Sequence, residues 1–181
     1  MKNMKKITTM ELSGNKAANL ARAVLEVNRQ VWLTTYQNDS LGITLKDIES
    51  KFTDFDEEVK KNKKYYLENK DRKHWFAFDK SKLVGYCLAQ IEDGVGKINS
   101  IYILKKYQHL GIGSKMLKKS LKYMKGVPIE IECAVYNTPT IKFYEKFGFK
   151  VIGEKKEKYT FPTGTKMTLV RMRKDREQCK E

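Results

Sequence analysis

Gln108-His109-Leu110-Gly111-Ile112-Gly113-Ser114 stands between an apolar run, Ile98 to Leu104, and a helical pattern, Ser114 to Met124. A strand that turns through glycines into a helix presents backbone N–H groups with no acceptor inside the helix. With the positive end of the helix dipole they form a site for a pyrophosphate. Gly111 and Gly113 suit that use, because a side chain would hold phosphates off the backbone and because glycine accepts unusual φ/ψ. A G-x-G by itself is common. A second segment, Asn137-Thr138-Pro139-Thr140-Ile141-Lys142-Phe143-Tyr144-Glu145-Lys146-Phe147-Gly148-Phe149, adds to it. Asn137 is a good residue to open a helix. Tyr144 follows it by seven residues, two turns, and so shares its face. A phenol there can serve as a general acid, or it can be a buried ring beside Phe143 and Phe147.

These two segments together resemble the GCN5-related N-acetyltransferase (GNAT) family. Gln108, Gly111 and Gly113 fill the family's Q/R-x-x-G-x-G/A loop after its fourth strand. Asn137, Tyr144, Gly148 and Phe149 match its second signature. The likeness runs from about Trp75 to Arg173. Before it, Trp32-Leu33-Thr34-Thr35-Tyr36 with Gly42-Ile43 is similar to a shorter stretch of PaiA-like, polyamine-type members. The resemblance implies a single mixed, mostly antiparallel sheet with helices on both faces, an α/β fold whose strands 4 and 5 splay apart. It also implies acetyl-CoA as co-substrate and no metal. The pantetheine arm would pair with the backbone of Ile101, Tyr102 and Ile103. The pyrophosphate would lie on the N–H groups of His109, Leu110, Gly111, Ile112, Gly113 and Ser114, with Gln108 in the same loop. Asn137 would contact the pantetheine arm, Tyr144 would protonate the departing thiolate, and Trp32 and Tyr36 would line the amine side. Members of the family often carry a Glu near the start of the fourth strand; Lys97 and Asn99 stand there instead. Glu92, Glu130 and Glu132 are the substitutes.

The elements expected to position these residues follow from periodicity. Ile7 to Met10 is a short strand. Ala17, Leu20, Val24, Val27 and Val31 recur at helical spacing as one long helix, near whose end Trp32 and Tyr36 share a face. Thr44 with Asp47 opens a second helix, and Phe55, Val59 and Tyr66 suggest a third, broken near Thr53-Asp54. Strands are expected at His74–Phe78, Leu83–Ile91 and Ile98–Leu104, separated by Asp79–Lys82 and by a hairpin turn at Asp93-Gly94. Then come a helix with the stripe Met116, Leu117, Leu121 and Met124, a strand over Val127–Val135, a helix over Asn137–Phe147, and strands at Phe149–Ile152 and Thr165–Met172. One domain over residues 1–173 and a charged tail over 174–181 are expected.

Composition narrows the function. With 181 residues the chain can bury a core of its own. No apolar run approaches the ~20 residues of a membrane helix. The basic N-terminus lacks the apolar stretch of a signal peptide, so a cytoplasmic protein is expected, with no membrane partner. Cys87, Cys133 and Cys179 form no C-x-x-C pair, and Cys87 and Cys133, within strand patterns, read as small buried hydrophobes. Two histidines argue against a His-based metal site. The net charge of +15 comes from 37 basic residues scattered along the chain, mostly Lys, which reads as a solvated face rather than a nucleic-acid reader. A Rossmann site would want Gly or Ala at Met116 and more chain beyond it. A P-loop motif is lacking. The expected partner is a small-molecule amine or a peptide amine, and a homodimer is compatible with this composition. The alternatives to a small-amine acetyltransferase are acetylation of a protein or peptide amine and a non-catalytic acetyl-CoA-binding regulator. The net charge would repel a polyamine unless acids such as Glu49, Asp54, Asp56, Glu57 and Glu58 lined the pocket.

Overall fold

Apolar runs in the middle of the chain build an antiparallel meander of β2 (Lys73–Asp79), β3 (Lys82–Glu92) and β4 (Val95–Ile103). The computed structural model describes residues 7–69, 72–155 and 158–176, so Cys179 and most of the expected tail lie outside the described residues. β1 (Ile7–Glu11) adds to the β2 edge. On the other side β4 pairs with β5 (Ile129–Ala134), the one parallel pair among the described strands of this sheet. β6 (Lys150–Glu154) forms the far edge, and β9 (Leu169–Lys174) inserts between β5 and β6. The resulting order is β1-β2-β3-β4-β5-β9-β6, mixed and mostly antiparallel as expected.

Adjacent residues of β4 point to opposite faces, and they identify which helix covers each face. Tyr102 meets Trp32 of α2 (Ala21–Thr35). Ile103 meets Gly113 of α5 (Ile112–Tyr123) on the other side. Gly96 allows the closest approach there: a Cβ on it would lie 2.7 Å from Met124 Sδ. α3 (Leu45–Ser50), α4 (Phe55–Glu68) and α6 (Thr138–Glu145) complete the helices, with α1 (Gly14–Ala18) at the start. α3 opens with a reciprocal capping box between Thr44 and Asp47, and Asp54 caps α4. Phe76, Met116, Leu117, Met124, Phe149 and Met172 are among the fully buried side chains of the core.

Two expectations change. The long first helix is split, because Leu20 N–H bonds Ala17 O at 2.9 Å, an i→i+3 step that interrupts the i→i+4 ladder. The apolar stripe continues through the break and conceals it. The expected strand over Thr165–Met172 is two strands: β8 (Lys166–Met167) pairs with β7 (Tyr159–Thr160) in a separate ribbon, and β9 starts after Thr168. Strands of two residues are too short to show an alternation.

Candidate active site

The site begins with a bulge. Leu88 pairs with Ser100 and Ala89 with Ile98, so Asn99 is the extra residue on β4. A bulge bends the strand that carries it. The parallel register of β4 and β5 consists of Gly96 with Ile129, Lys97 with Glu130 and Ile98 with Ile131, and it stops at the bulge. Beyond that point the two strands part around a cleft of about 460 Å³. Ile101, Tyr102 and Ile103 line one wall, and Ile131, Glu132 and Cys133 line the other. Residues 99–103 therefore turn an unpaired strand edge toward the opening, a suitable partner for an extended chain.

The glycine loop closes one end. After a 3-10 turn over Lys105–Tyr107, Gln108 Nε2 donates to Ile103 O at 3.0 Å, and Tyr107 Oη donates to Asp79 at 2.8 Å, tying the loop to strand ends. His109 has φ +61° and Gly111 φ +76°, and these two left-handed residues turn the chain into α5. Lys115 N–H to Gly111 O is the bond that starts the helical ladder, which leaves the N–H groups of Ile112, Gly113 and Ser114 ahead of it. These three residues, with Gln108, His109 and Gly111, line the cleft; the side chain of Leu110 is 57% exposed instead. Gly113 has a second use, because a Cβ there would lie 3.3 Å from Ile103 Cδ1 and 3.5 Å from Phe143 Cζ. Its bareness lets α5, β4 and α6 meet.

Asn137 caps α6 by accepting from Thr140 N–H at 3.4 Å, and it also faces the cleft. The cap uses the carboxamide oxygen and leaves its NH₂ as a donor. Tyr144 lines the cleft with Asn137, at 4% exposure and edge-on to Phe143 and Phe149. Burial drives its pKa well above the usual phenol value, so the hydroxyl keeps its proton near neutrality.

Trp32 and Tyr36 separate into a wall and its support. Tyr36 lines the cleft, and its ring stacks on Trp32 with centroids 4.3 Å apart. Trp32 stands behind it, 6% exposed, and donates its indole N–H to Tyr102 Oη at 3.2 Å. The cation over the Trp32 ring is the protein's own Lys51, whose Nζ lies 4.3 Å from the centroid and donates to Tyr159 Oη at 2.7 Å. Asp47 fixes the β7–β8 turn next to this wall. One carboxylate oxygen accepts from the Thr163 and Thr165 hydroxyls and the other from Thr44, and these bonds hold its pKa well below the usual carboxylate range. Tyr136 Oη donates to Tyr36 O at 2.7 Å. Sequence reasoning did not find Lys51 or Tyr136 and read Asp47 only as a helix start. The capping box was the local signal, and the threonines that share Asp47 lie more than a hundred residues away.

The carboxylates sort by place. Glu92 pairs with Lys97, Glu130 with Arg173 and Glu132 with Lys155, and of these three Glu132 lines the cleft. Four of the five acids expected to draw in a polycation have local uses: Asp54 caps α4, Asp56 meets Arg22, Glu57 meets Lys60 and Glu58 meets Lys61. Burial pushes the Cys87 thiol up to about 12 and the Cys133 thiol up to about 11, so both are poor nucleophiles. Among the described residues no group of three or more His, Cys, Asp or Glu is placed to hold a metal ion, and no helix is long and apolar enough to cross a membrane.

Strands that part at a bulge, a glycine turn into a helix at one end and a polar helix face opposite define an acyl-CoA-binding type of α/β domain. The chain belongs to the acetyltransferase (GNAT) family, whose model matches residues 42–149. An N-alpha-acetyltransferase of Sulfurisphaera tokodaii is 36% identical over 87 residues, covering 39% of this chain and 52% of that protein. The chain thus spans about half the length of the curated relatives it matches. Among solved structures, the PaiA N-acetyltransferase of Thermoplasma acidophilum in complex with coenzyme A is similar with a TM-score of 0.65 at 24% identity, covering 94% of this chain and 99% of that one. An acetyltransferase of the GNAT family from Streptococcus pneumoniae gives 0.65 at 18% identity, with 94% and 99% covered. At such identities the likeness concerns the fold.

Proposed function

We propose that the protein transfers an acetyl group from acetyl-CoA to a primary amine. The observation that carries this reading is the cleft itself, which joins the free N–H groups at the start of α5 to the Tyr144 hydroxyl through the unpaired edge of β4. In that reading the donor's pyrophosphate takes the N–H groups of Ile112, Gly113 and Ser114, and its extended arm adds to the backbone of Ile101, Tyr102 and Ile103. Asn137 offers its NH₂ to the same arm.

The amine lone pair attacks the thioester carbonyl carbon, and the C–S bond breaks as the amide forms. Tyr144 donates its O–H to the departing sulfur. Burial weakens the phenol as an acid, but a low-dielectric cleft also disfavours a free thiolate, which favours proton transfer to the sulfur as the C–S bond breaks. The proton lost by the amine needs an acceptor, and Glu132 is the carboxylate in the cleft wall. It takes that proton through water. Lys155 Nζ lies 3.0 Å from that carboxylate.

The test is thiol release with acetyl-CoA across amino acids, peptides, polyamines and aminoglycosides, with coenzyme A binding measured in parallel. Release with at least one amine, and loss of turnover but not of coenzyme A affinity in Glu132→Gln, is the expected result. Coenzyme A binding with no release from any amine would favour the regulatory alternative.

A further inference from the structure

A second cavity, of about 310 Å³, shares Ile98, Asn99, Ile131 and Glu132 with the cleft. It lies where β4 and β5 part, and Lys97, Glu130 and Arg171 complete it. Ile129 belongs to the α5 face, since a Cβ on Gly96 would meet both Ile129 and Met124. Alternation along β5 therefore sends Glu130 and Glu132 to the opposite face, the one carrying α2 and Tyr36.

The charged side chains of this cavity are two bases, Lys97 and Arg171, and two acids, Glu130 and Glu132. Lys97 meets Glu92 at 2.7 Å, Glu132 meets Lys155 at 3.0 Å, and Glu130 meets Arg173 at 3.3 Å, which in turn also meets Asp175 at 3.1 Å. Arg171 is the remaining charge, and among the described residues it has no acidic partner. Its neighbour on β5 is Glu132, whose carboxylate is taken by Lys155. Its neighbour on β6 is Gly153, which places no side chain beside it. An exposed guanidinium fork thus faces the cavity one strand away from the residue assigned to receive the amine's proton.

We propose that the acceptor is an amine carrying a carboxylate a few bonds away, with the carboxylate seated on Arg171 and the amine reaching the cleft beside Asn99 and Glu132. This rests on the acetyl-transfer reading. Directly opposed residues on paired antiparallel strands lie about 5 Å apart at Cα, so one short molecule can touch both. A planar carboxylate matches the two parallel N–H bonds of a guanidinium. A polyamine fits poorly, because the side chain here without an ion pair among the described residues is a cation, Arg171, and the face of Trp32 is filled by Lys51. The carboxylate has two sources, the α-carboxylate of a free amino acid or an acidic side chain at the start of a peptide.

The experiment is calorimetric titration of the protein, saturated with coenzyme A, with three kinds of amine. One pair is glycine and glycinamide, a second is the C-terminally amidated tripeptides Glu-Ala-Ala and Gln-Ala-Ala, and the third is spermidine. The expected result is that the carboxylate member of one pair binds at least tenfold more tightly than its amide. Arg171→Gln should remove that difference, and Arg171→Lys should keep part of it. The pair that discriminates identifies the source. Equal affinity within both pairs, tighter binding of spermidine, no binding by any of the amines, or a preference that survives in folded Arg171→Gln would overturn the proposal. Binding is read without turnover, so the two readings separate. Selective binding without thiol release would support this site and remove the transfer reading. Thiol release from amines without any preference would remove this site and leave transfer standing.

Discussion

Ile98 and Ile131 form the last parallel pair between β4 and β5, and the bulge at Asn99 follows immediately on β4. The cleft opens at that point. Before it, backbone bonds hold the strands together; after it, β4 keeps its partner β3 and gives up β5. The bulge thereby turns an interior strand into one with a free edge in the middle of a sheet. Such an edge would invite aggregation on the outside of a protein, but here it lies between Tyr36, Tyr144 and the α5 N-terminus.

Tyr144→Phe removes one hydroxyl from a packed ring and should leave coenzyme A affinity and melting temperature close to those of the parent. Turnover should fall on the order of 10²-fold or more, the scale of a lost general acid. Steady-state kinetics with pre-steady-state confirmation that chemistry limits the rate makes the check. An unchanged kcat under those conditions would make Tyr144 a core residue only.

Gly113→Glu should abolish coenzyme A binding, because its carboxylate would stand where the phosphates are to bind. Its Cβ would meet Ile103 Cδ1 at 3.3 Å, so a small loss of stability accompanies the change. Gly113→Ala adds the same Cβ without the charge and serves as the control, keeping most of the affinity. Calorimetry on both variants decides, and wild-type affinity in Gly113→Glu would refute the assignment.

Trp32→Ala would empty a buried site and is expected to cost about 3–5 kcal/mol of stability, which makes it a poor probe of binding. Trp32→Phe keeps a ring against Tyr36 and Lys51 and deletes only the N–H bond to Tyr102. Its KM for the amine should rise several-fold while the KM for acetyl-CoA stays nearly constant. Equal changes in both constants would place the Trp32–Tyr102 pair on the donor side.

His74 should make the fold acid-sensitive. It is 2% exposed, neither ring nitrogen has a hydrogen-bond partner among the described residues, and Tyr66 and Phe76 pack against it. Burial, with a smaller push from Arg72, lowers its pKa from 6.5 to about 4. Above pH 6.5 neither folded nor unfolded chain binds the proton, and the His74 contribution is complete. Between pH 6.5 and 4 the unfolded chain binds it and the folded one resists, so stability falls as pH falls. Melting temperatures across this window should drop for the parent and flatten for His74→Phe. Asp47, with its pKa lowered, keeps its contribution above the ordinary Asp value of 3.8 and loses it only at lower pH, so the two windows are separable.

What the chain settles by itself is local. The turn from Gln108 to Ser114, the Asn137 cap seven residues before Tyr144 and the Thr44–Asp47 box are all contained within short stretches, and backbone preference decides them. Apolar runs and the turn residues between them likewise mark β2, β3 and β4 to within a few residues. Tertiary structure decided which groups are already engaged. Lys51 meets Trp32 and Tyr159, Asp47 collects Thr163 and Thr165, and the acids from Asp54 to Glu58 are spent on a cap and on nearby lysines and Arg22. Among the described residues Arg171 is left without an acid even though Glu132 is its strand neighbour, because Glu132 turns to Lys155. A side chain's charge is written in the sequence, but its partner depends on what the fold brings within a few ångströms, and that distance has no counterpart along the chain.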